Sequence, residues 1–178
     1  MEHKGYMPLR RFAKSEIVPS NKDRFLRKET LQGFVHDEAS AFFGGLAGNA
    51  GLFSTARDVA RVYQMLLNGG EIDGQRYLSK ETCQLFTTET SKISRRGLGF
   101  DKPDADDPKK GNCAPAAPAE VYGHTGFTGT CAWVDPVNEL VYVFLSNRIY
   151  PDVTNRKLNQ LHIRERIQGA IYDAMKKK

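Results

Sequence analysis

The sequence predicts an α+β fold, an antiparallel sheet with flanking helices. Three observations carry this. Val121–Phe127, Gly129–Asp135 and Leu140–Leu145 are rich in apolar and β-branched residues and broken by turns. The connection Pro136-Val137-Asn138 is far too short for a crossover, so the last two strands must run antiparallel. Segments on both sides of these strands place apolar residues at helical spacing.

Residues 1–40 are polar and mixed, without sustained periodicity, and predict an irregular lead-in of loops and short turns. Residues 41–178 hold the helices and strands of what reads as a single domain over 1–178. In "FFGGLAGNAGLFSTARDVARVYQMLLNGG" (Phe42–Gly70), Thr55 caps a helix and Asp58 completes a capping box. Val59, Val62, Tyr63, Leu66 and Leu67 share one face of that helix, and Gly69-Gly70 ends it. Its glycines form a tight loop packed on the core, because neither GxxxxGK[ST] nor GxGxxG is present. A second helix starts at Ser79, with Glu81 in its first turn. "GLGF" (Gly97–Phe100) predicts a short strand, and the Pro-, Asp- and Ala-rich stretch 101–119 predicts a long loop rimming a site. Leu140–Leu145 is apolar on both faces and predicts a central strand. The last element is a helix from Asn159 to Lys176, with Ile163, Ile167, Ala170, Ile171 and Ala174 as its apolar stripe.

The whole chain excludes several functions. Its 178 residues suffice for a real core, and 40% hydrophobic with 26% charged residues argues against disorder. The net charge of +5 comes partly from Arg10-Arg11, Arg95-Arg96 and Lys176–Lys178, which read as solvated surface. No basic stripe is interleaved with aromatics, so no nucleic-acid partner is predicted. No 18-residue apolar run is present to span a membrane, and no apolar segment marks a signal peptide on this chain. Cys83, Cys113 and Cys131 form no CxxC pair, which removes a zinc site but permits one disulfide. His36-Asp37-Glu38 predicts no metal site, since adjacent loop side chains diverge and no histidine follows at i+4. No metal or other cofactor is expected. No GxSxG marks a nucleophile, and His124 with Cys131 would face opposite sides of a continuous strand.

The chemistry concentrates in "GHTGFTGT" (Gly123–Thr130). Glycine inside a strand marks close approach of another backbone or a ligand. His124 and Gly126 would share one strand face, Gly126 would let a substrate backbone lie alongside, and the Phe127 N–H would be free to stabilise an oxyanion.

"YGHTGFTGTCAWVDPVNELVYVFLSNRIYP" (Tyr122–Pro151) resembles the terminal strands of the serine β-lactamase and penicillin-binding-protein superfamily, nearest its class C and esterase-like branch. "GLAGNAGLFSTARDVARVYQMLLNGG" (Gly45–Gly70) is similar to that family's Gly-rich loop and following helix. The segment from Gln32 to Thr55 also resembles the serine-hydrolase half of some bacterial glycoside hydrolase family 3 fusions. The likeness covers roughly residues 30–175 in family order. It implies the C-terminal part of a β-lactamase/transpeptidase-like fold. It further implies that His124, Thr125 and Gly126 match the family's Lys/His-Thr-Gly motif, that Phe127 supplies an oxyanion N–H, and that Asn147 and Arg148 contact substrate.

One departure governs the reading. No serine is followed at the third position by lysine, and no Tyr-x-Asn or Ser-x-Asn occurs. The expectation is therefore a fragment of a serine hydrolase that forms acyl-enzymes from an amide, β-lactam or ester, and that is inactive alone. Expected partners are a small-molecule or peptidoglycan-like substrate, and other copies of the chain through the face left by a missing N-terminal half. The family resemblance implies a periplasmic or cell-surface location. The alternatives are a non-catalytic peptide- or glycan-binding module on the same fold, and an unrelated α+β domain whose His-Thr-Gly is coincidence.

Overall fold

The computed structural model describes residues 3–88, 91, 93–104, 106, 107 and 111–176. Within the lead-in, Pro19–Lys22 (β1) pairs antiparallel with Thr30–Gln32 (β2), so this region is more ordered than a run of loops. Asp37 starts a short helix, Glu38–Phe42 (α1), by accepting a hydrogen bond from Ser40 N. The apolar helical pattern becomes Ala56–Leu67 (α2), with the Thr55 hydroxyl accepting from Asp58 N. The reciprocal half of the capping box is absent. The Asp58 carboxylate instead accepts from His3 N at 2.7 Å and ties down the N-terminal segment. Glu71–Ile72 (β3) and Gln75–Arg76 (β4) form a minimal hairpin, and Ser79 caps Lys80–Thr87 (α3) as the sequence predicts.

The main sheet has three strands, Tyr122–Thr125 (β5), Cys131–Asp135 (β6) and Leu140–Phe144 (β7), in that order and antiparallel throughout. The strands are shorter than predicted because the chain turns at Gly126. The Gly126 N–H donates to Thr130 O at 2.8 Å, and Gly129 takes φ +109°. The central strand is β6, not Leu140–Leu145. All five β6 residues are buried, whereas β7 is an edge strand with only Tyr142 buried. An apolar run signals burial of faces, and it leaves strand order open.

Trp133 anchors the core with Cys113, Val121, Cys131 and Tyr142. Trp133 pairs across the ladder with Tyr142, and the Tyr142 hydroxyl donates to Arg164 O on the C-terminal helix at 3.1 Å. The opposite face carries Tyr122 beside Val134, and edge contacts link Tyr122 to Phe100 and Phe100 to Tyr63 of α2. Both faces of the sheet are thus covered. All three cysteines are buried and free, so no disulfide forms.

The predicted C-terminal helix is two helices, Lys157–Gln160 (α4) and Ile163–Met175 (α5), broken where His162 adopts φ 49°. The predicted stripe packs only in part, through Ile171 against the core and the half-buried Ile163. Arg164, Gln168 and Tyr172 are buried, while Ile167, Ala170 and Ala174 are exposed. Each buried polar side chain has a partner that repays its desolvation. Arg164 reaches Thr130 O, Gln168 accepts from Ala114 N, and Tyr172 donates to Asp135.

No strand forms at Gly97–Phe100; pairing begins one residue later, where Asp101 bridges Gly123. The segment 101–119 rims no site, as far as it is described. Cys113 and Ala114 are buried, and none of its described residues lines the main cleft. Residues 105 and 108–110 of that segment, and Lys177 and Lys178 of the basic terminus, lie outside the described residues.

Candidate functional site

Gly123 is required by close packing. A Cβ there would sit 2.2 Å from Ala132 O and 2.8 Å from the Trp133 Cα. Its outer edge pairs with Asp101, with Asp101 N to Gly123 O at 2.7 Å and Gly123 N to Asp101 O at 3.0 Å. Asp101 is itself fixed from below. Its carboxylate is 1% exposed and accepts from Asn112 Nδ2 at 2.8 Å and from Arg95 Nη2 at 3.1 Å. Arg95 Nε also lies 2.7 Å from the carboxylate, so Arg95 is an ion-pair partner and not solvated surface. Burial pushes the Asp101 carboxyl up, but the bonds from Arg95 and Asn112 outweigh it and hold the group below its usual range.

Strand geometry then dictates the next outward groups. Gly123 turns its N–H and C=O away from β6, so Thr125 does the same. The Phe127 N–H lies in the turn that follows the strand and donates to no described residue. The Gly126 N–H points inward to Thr130 O, and the volume a side chain would fill at 126 is taken by Thr130 Oγ1. The strand ends at Thr125, so the expected sharing of one face by His124 and Gly126 does not extend across the turn.

His124 is exposed, with both ring nitrogens in use. Nε2 lies 2.8 Å from Arg96 Nη1, and Nδ1 lies 2.6 Å from Thr125 O. Arginine only donates, so Nε2 accepts, and Nδ1 carries the hydrogen that goes to Thr125 O. The pair therefore sets a guanidinium beside the strand as a cationic donor. Sequence reasoning missed Arg96 as part of this group, and nothing local marks it, because the contact spans 28 positions.

Asn147 and Arg148 are placed differently. The Asn147 amide donates to Pro19 O and Ser20 O, which fixes β1 against the end of β7. Arg148 donates its N–H to Thr128 O at 2.8 Å and lays its guanidinium carbon 4.7 Å from the Phe127 ring centre. A cleft of about 1060 Å³ opens beside the turn. Gly126, Phe127, Thr128 and Thr130 form one wall; Gly48–Leu52 of the glycine-rich loop, with His36 and Asp37, form another. Of the six predicted site residues only Gly126 and Phe127 line this cleft. Asn147 and Arg148 line a separate cavity of about 260 Å³.

The glycine-rich loop is thus a cleft wall; it bridges the N-terminal segment through Gly5 and Phe53, and a Cβ at its Gly45 would lie 3.8 Å from the buried Val35 side chain. Asn49 Nδ2 reaches the Asp37 carboxylate at 3.4 Å and ties the loop to α1. Burial raises the Cys131 thiol to about 11, which disfavours its thiolate.

The chain matches the Beta-lactamase family model over residues 7–165. It is 35% identical over 162 residues to proteins described as putative D-alanyl-D-alanine carboxypeptidases from Escherichia coli strain K12, Escherichia coli O157:H7 and Salmonella agona strain SL483. Those alignments cover 88% of this chain and 37% of each relative, so the chain spans little more than a third of the relatives it matches. A crystal structure of a penicillin-binding protein homologue from Caulobacter crescentus aligns with a TM-score of 0.45 at 26% identity, covering 55% of this chain and 27% of that one.

Proposed function

The chain belongs to the beta-lactamase family, and from that premise we propose that it supplies the strand wall and half of the oxyanion hole of a serine acyl-transfer site. The observation that carries this is the Phe127 N–H, which donates to no described residue and sits in a turn whose residues Gly126, Phe127 and Thr128 line the cleft. A carbonyl oxygen that gains negative charge during attack is stabilised by such a fixed donor. Arg96, steadied by His124, offers the positive charge that holds a substrate carboxylate. The substrate class is an acyl donor with a peptide or lactam carbonyl, in keeping with the carboxypeptidase names of the relatives. The setting is the periplasm or cell surface.

The reaction joins a serine oxygen to the carbonyl carbon, expels the amine or alcohol, and releases the acid by water. This sequence carries no Ser-x-x-Lys and no Tyr-x-Asn or Ser-x-Asn. The 178 residues alone therefore turn over nitrocefin and p-nitrophenyl acetate no faster than buffer. Turnover that survives purification and vanishes in His124→Ala would show a nucleophile within this sequence and overturn the reading. Exposed Phe25, Phe42, Phe43 and Ile93 also favour self-association. Sedimentation of the same sample shows oligomers on this account, and a strict monomer contradicts that part of it.

A further inference from the structure

His36 enters none of the chemistry above, yet its ring lies parallel to Phe127, with centroids 5.3 Å apart and planes 5° from parallel. Arg148 contacts the same ring and also binds the turn through Thr128 O. Both rings line the cleft. Phe127 is 58% exposed; the backbone on either side of it is held by Gly126 N–H to Thr130 O, Gly129 N–H to Gly126 O and Arg148 N–H to Thr128 O, while its ring meets Arg148 and His36. His36 is held firmly from behind. Arg27 donates to His36 O at 2.8 Å and to Val35 O at 2.7 Å, and is itself paired with Asp23. The next residue, Asp37, caps α1. The His36 ring nitrogens bond to no described residue, so the imidazole contributes its face.

We propose that His36 is a positioning residue for the 126–129 turn, stacking on Phe127 so that the Phe127 N–H stays at the edge of the cleft. This rests on the oxyanion role assigned to that N–H. Protonating His36 would set a second cation against a ring already contacted by Arg148. The charged groups around it are Asp37, Arg27 and Arg148, with Lys22, Asp23, Arg24, Glu38 and Asp152 lining the same cleft. Burial lowers its proton affinity, Asp37 opposes this, and Arg27 and Arg148 add to it, so the stack forms with a neutral ring.

The test is NMR on the ¹⁵N-labelled chain, titrated from about pH 8 to about pH 4.5. The Gly126, Phe127 and Thr128 amides should shift with the midpoint of the His36 imidazole, below its ordinary 6.5. The His124 imidazole is followed separately. In His36→Phe that step should vanish while the stack and the slow exchange of the hydrogen-bonded Gly126 and Gly129 amides persist. In His36→Ala, exchange at the Gly126 and Gly129 amides should rise about fivefold or more while β6 amides stay protected. A step that persists in His36→Phe, or unchanged exchange in His36→Ala, overturns the proposal. Phe127→Leu supplies the reciprocal reading should His36→Ala fail to fold: the His36 midpoint should rise, and an unmoved midpoint overturns the proposal. None of these readouts depends on acylation, so they stand apart from any failure of the hydrolase reading.

Discussion

Replacing Gly123 by alanine should cost far more than replacing Gly126, although an added Cβ meets its nearest atom at the same 2.2 Å in both. The difference lies in what is struck. At 123 the obstacles are Ala132 O and, at 2.8 Å, the Trp133 Cα, which are backbone of the buried central strand. They move only if the β5–β6 ladder opens. Overpacking of this kind costs about 1–3 kcal/mol, and a blocked backbone belongs at the upper end. At 126 the obstacle is Thr130 Oγ1, with the next atom, Thr130 Cβ, at 3.6 Å. Rotation of one side chain clears it, for about 0.5–1.5 kcal/mol. Alanine restricts the unfolded chain and returns about 0.4–1 kcal/mol in each case. Gly126→Ala should therefore lie within about 1 kcal/mol of the parent, and Gly123→Ala about 2 kcal/mol below it. Urea unfolding followed by Trp133 fluorescence measures both. Thr130→Ala should rescue Gly126→Ala, giving a non-additive double mutant, and leave Gly123→Ala unchanged. Gly126→Ala proving as costly as Gly123→Ala would refute the reasoning.

Tyr172→Phe removes a hydrogen bond of 2.8 Å to the buried Asp135 carboxylate and should cost about 1.5–3 kcal/mol by the same urea assay. Asp101 has a folded carboxyl pKa below its unfolded value, so its stabilisation is present above the ordinary carboxylate range and lost as pH falls through it. Stability should decline below about pH 4, and Asp101→Asn should show a shallower decline from a less stable starting point. A wild-type acid limb no steeper than that of Asp101→Asn would contradict this.

The fold was legible wherever local signals and tertiary packing agree. Thr55 and Ser79 cap the helices they predict, and Pro136–Asn138 joins the antiparallel pair it predicts. Two of the exceptions share one cause, which is long-range polar pairing. Helix α5 packs through Arg164, Gln168 and Tyr172 because Thr130, Ala114 and Asp135 await them, and hydrophobic periodicity registers none of these. Asp58 abandons its capping box because His3 N reaches it from the far end of the chain. That Leu140–Phe144 forms a strand was readable from its apolar run, but its edge position depends on strand order, which the run itself does not encode.

For the candidate site, the glycine-rich stretch after β5 was legible as a break in the strand, and the structure places its Gly126 and Phe127 on the cleft wall. Arg96 and His36 were not, since they meet His124 and Phe127 only after folding. Asn147 looked like a substrate contact by its position after β7. The structure shows its amide donating to the β1 backbone.

The most direct test of the central claim, that this chain is the strand wall and oxyanion half of an acyl-transfer site, is a graft. Residues 7–165 replace the aligned segment of the Escherichia coli K12 relative, and acylation by a fluorescent penicillin is measured beside the unmodified relative. The account predicts labelling comparable to the unmodified relative, and its loss by at least about tenfold in His124→Ala. A folded graft that takes no label, or one that labels equally with His124→Ala, would contradict it.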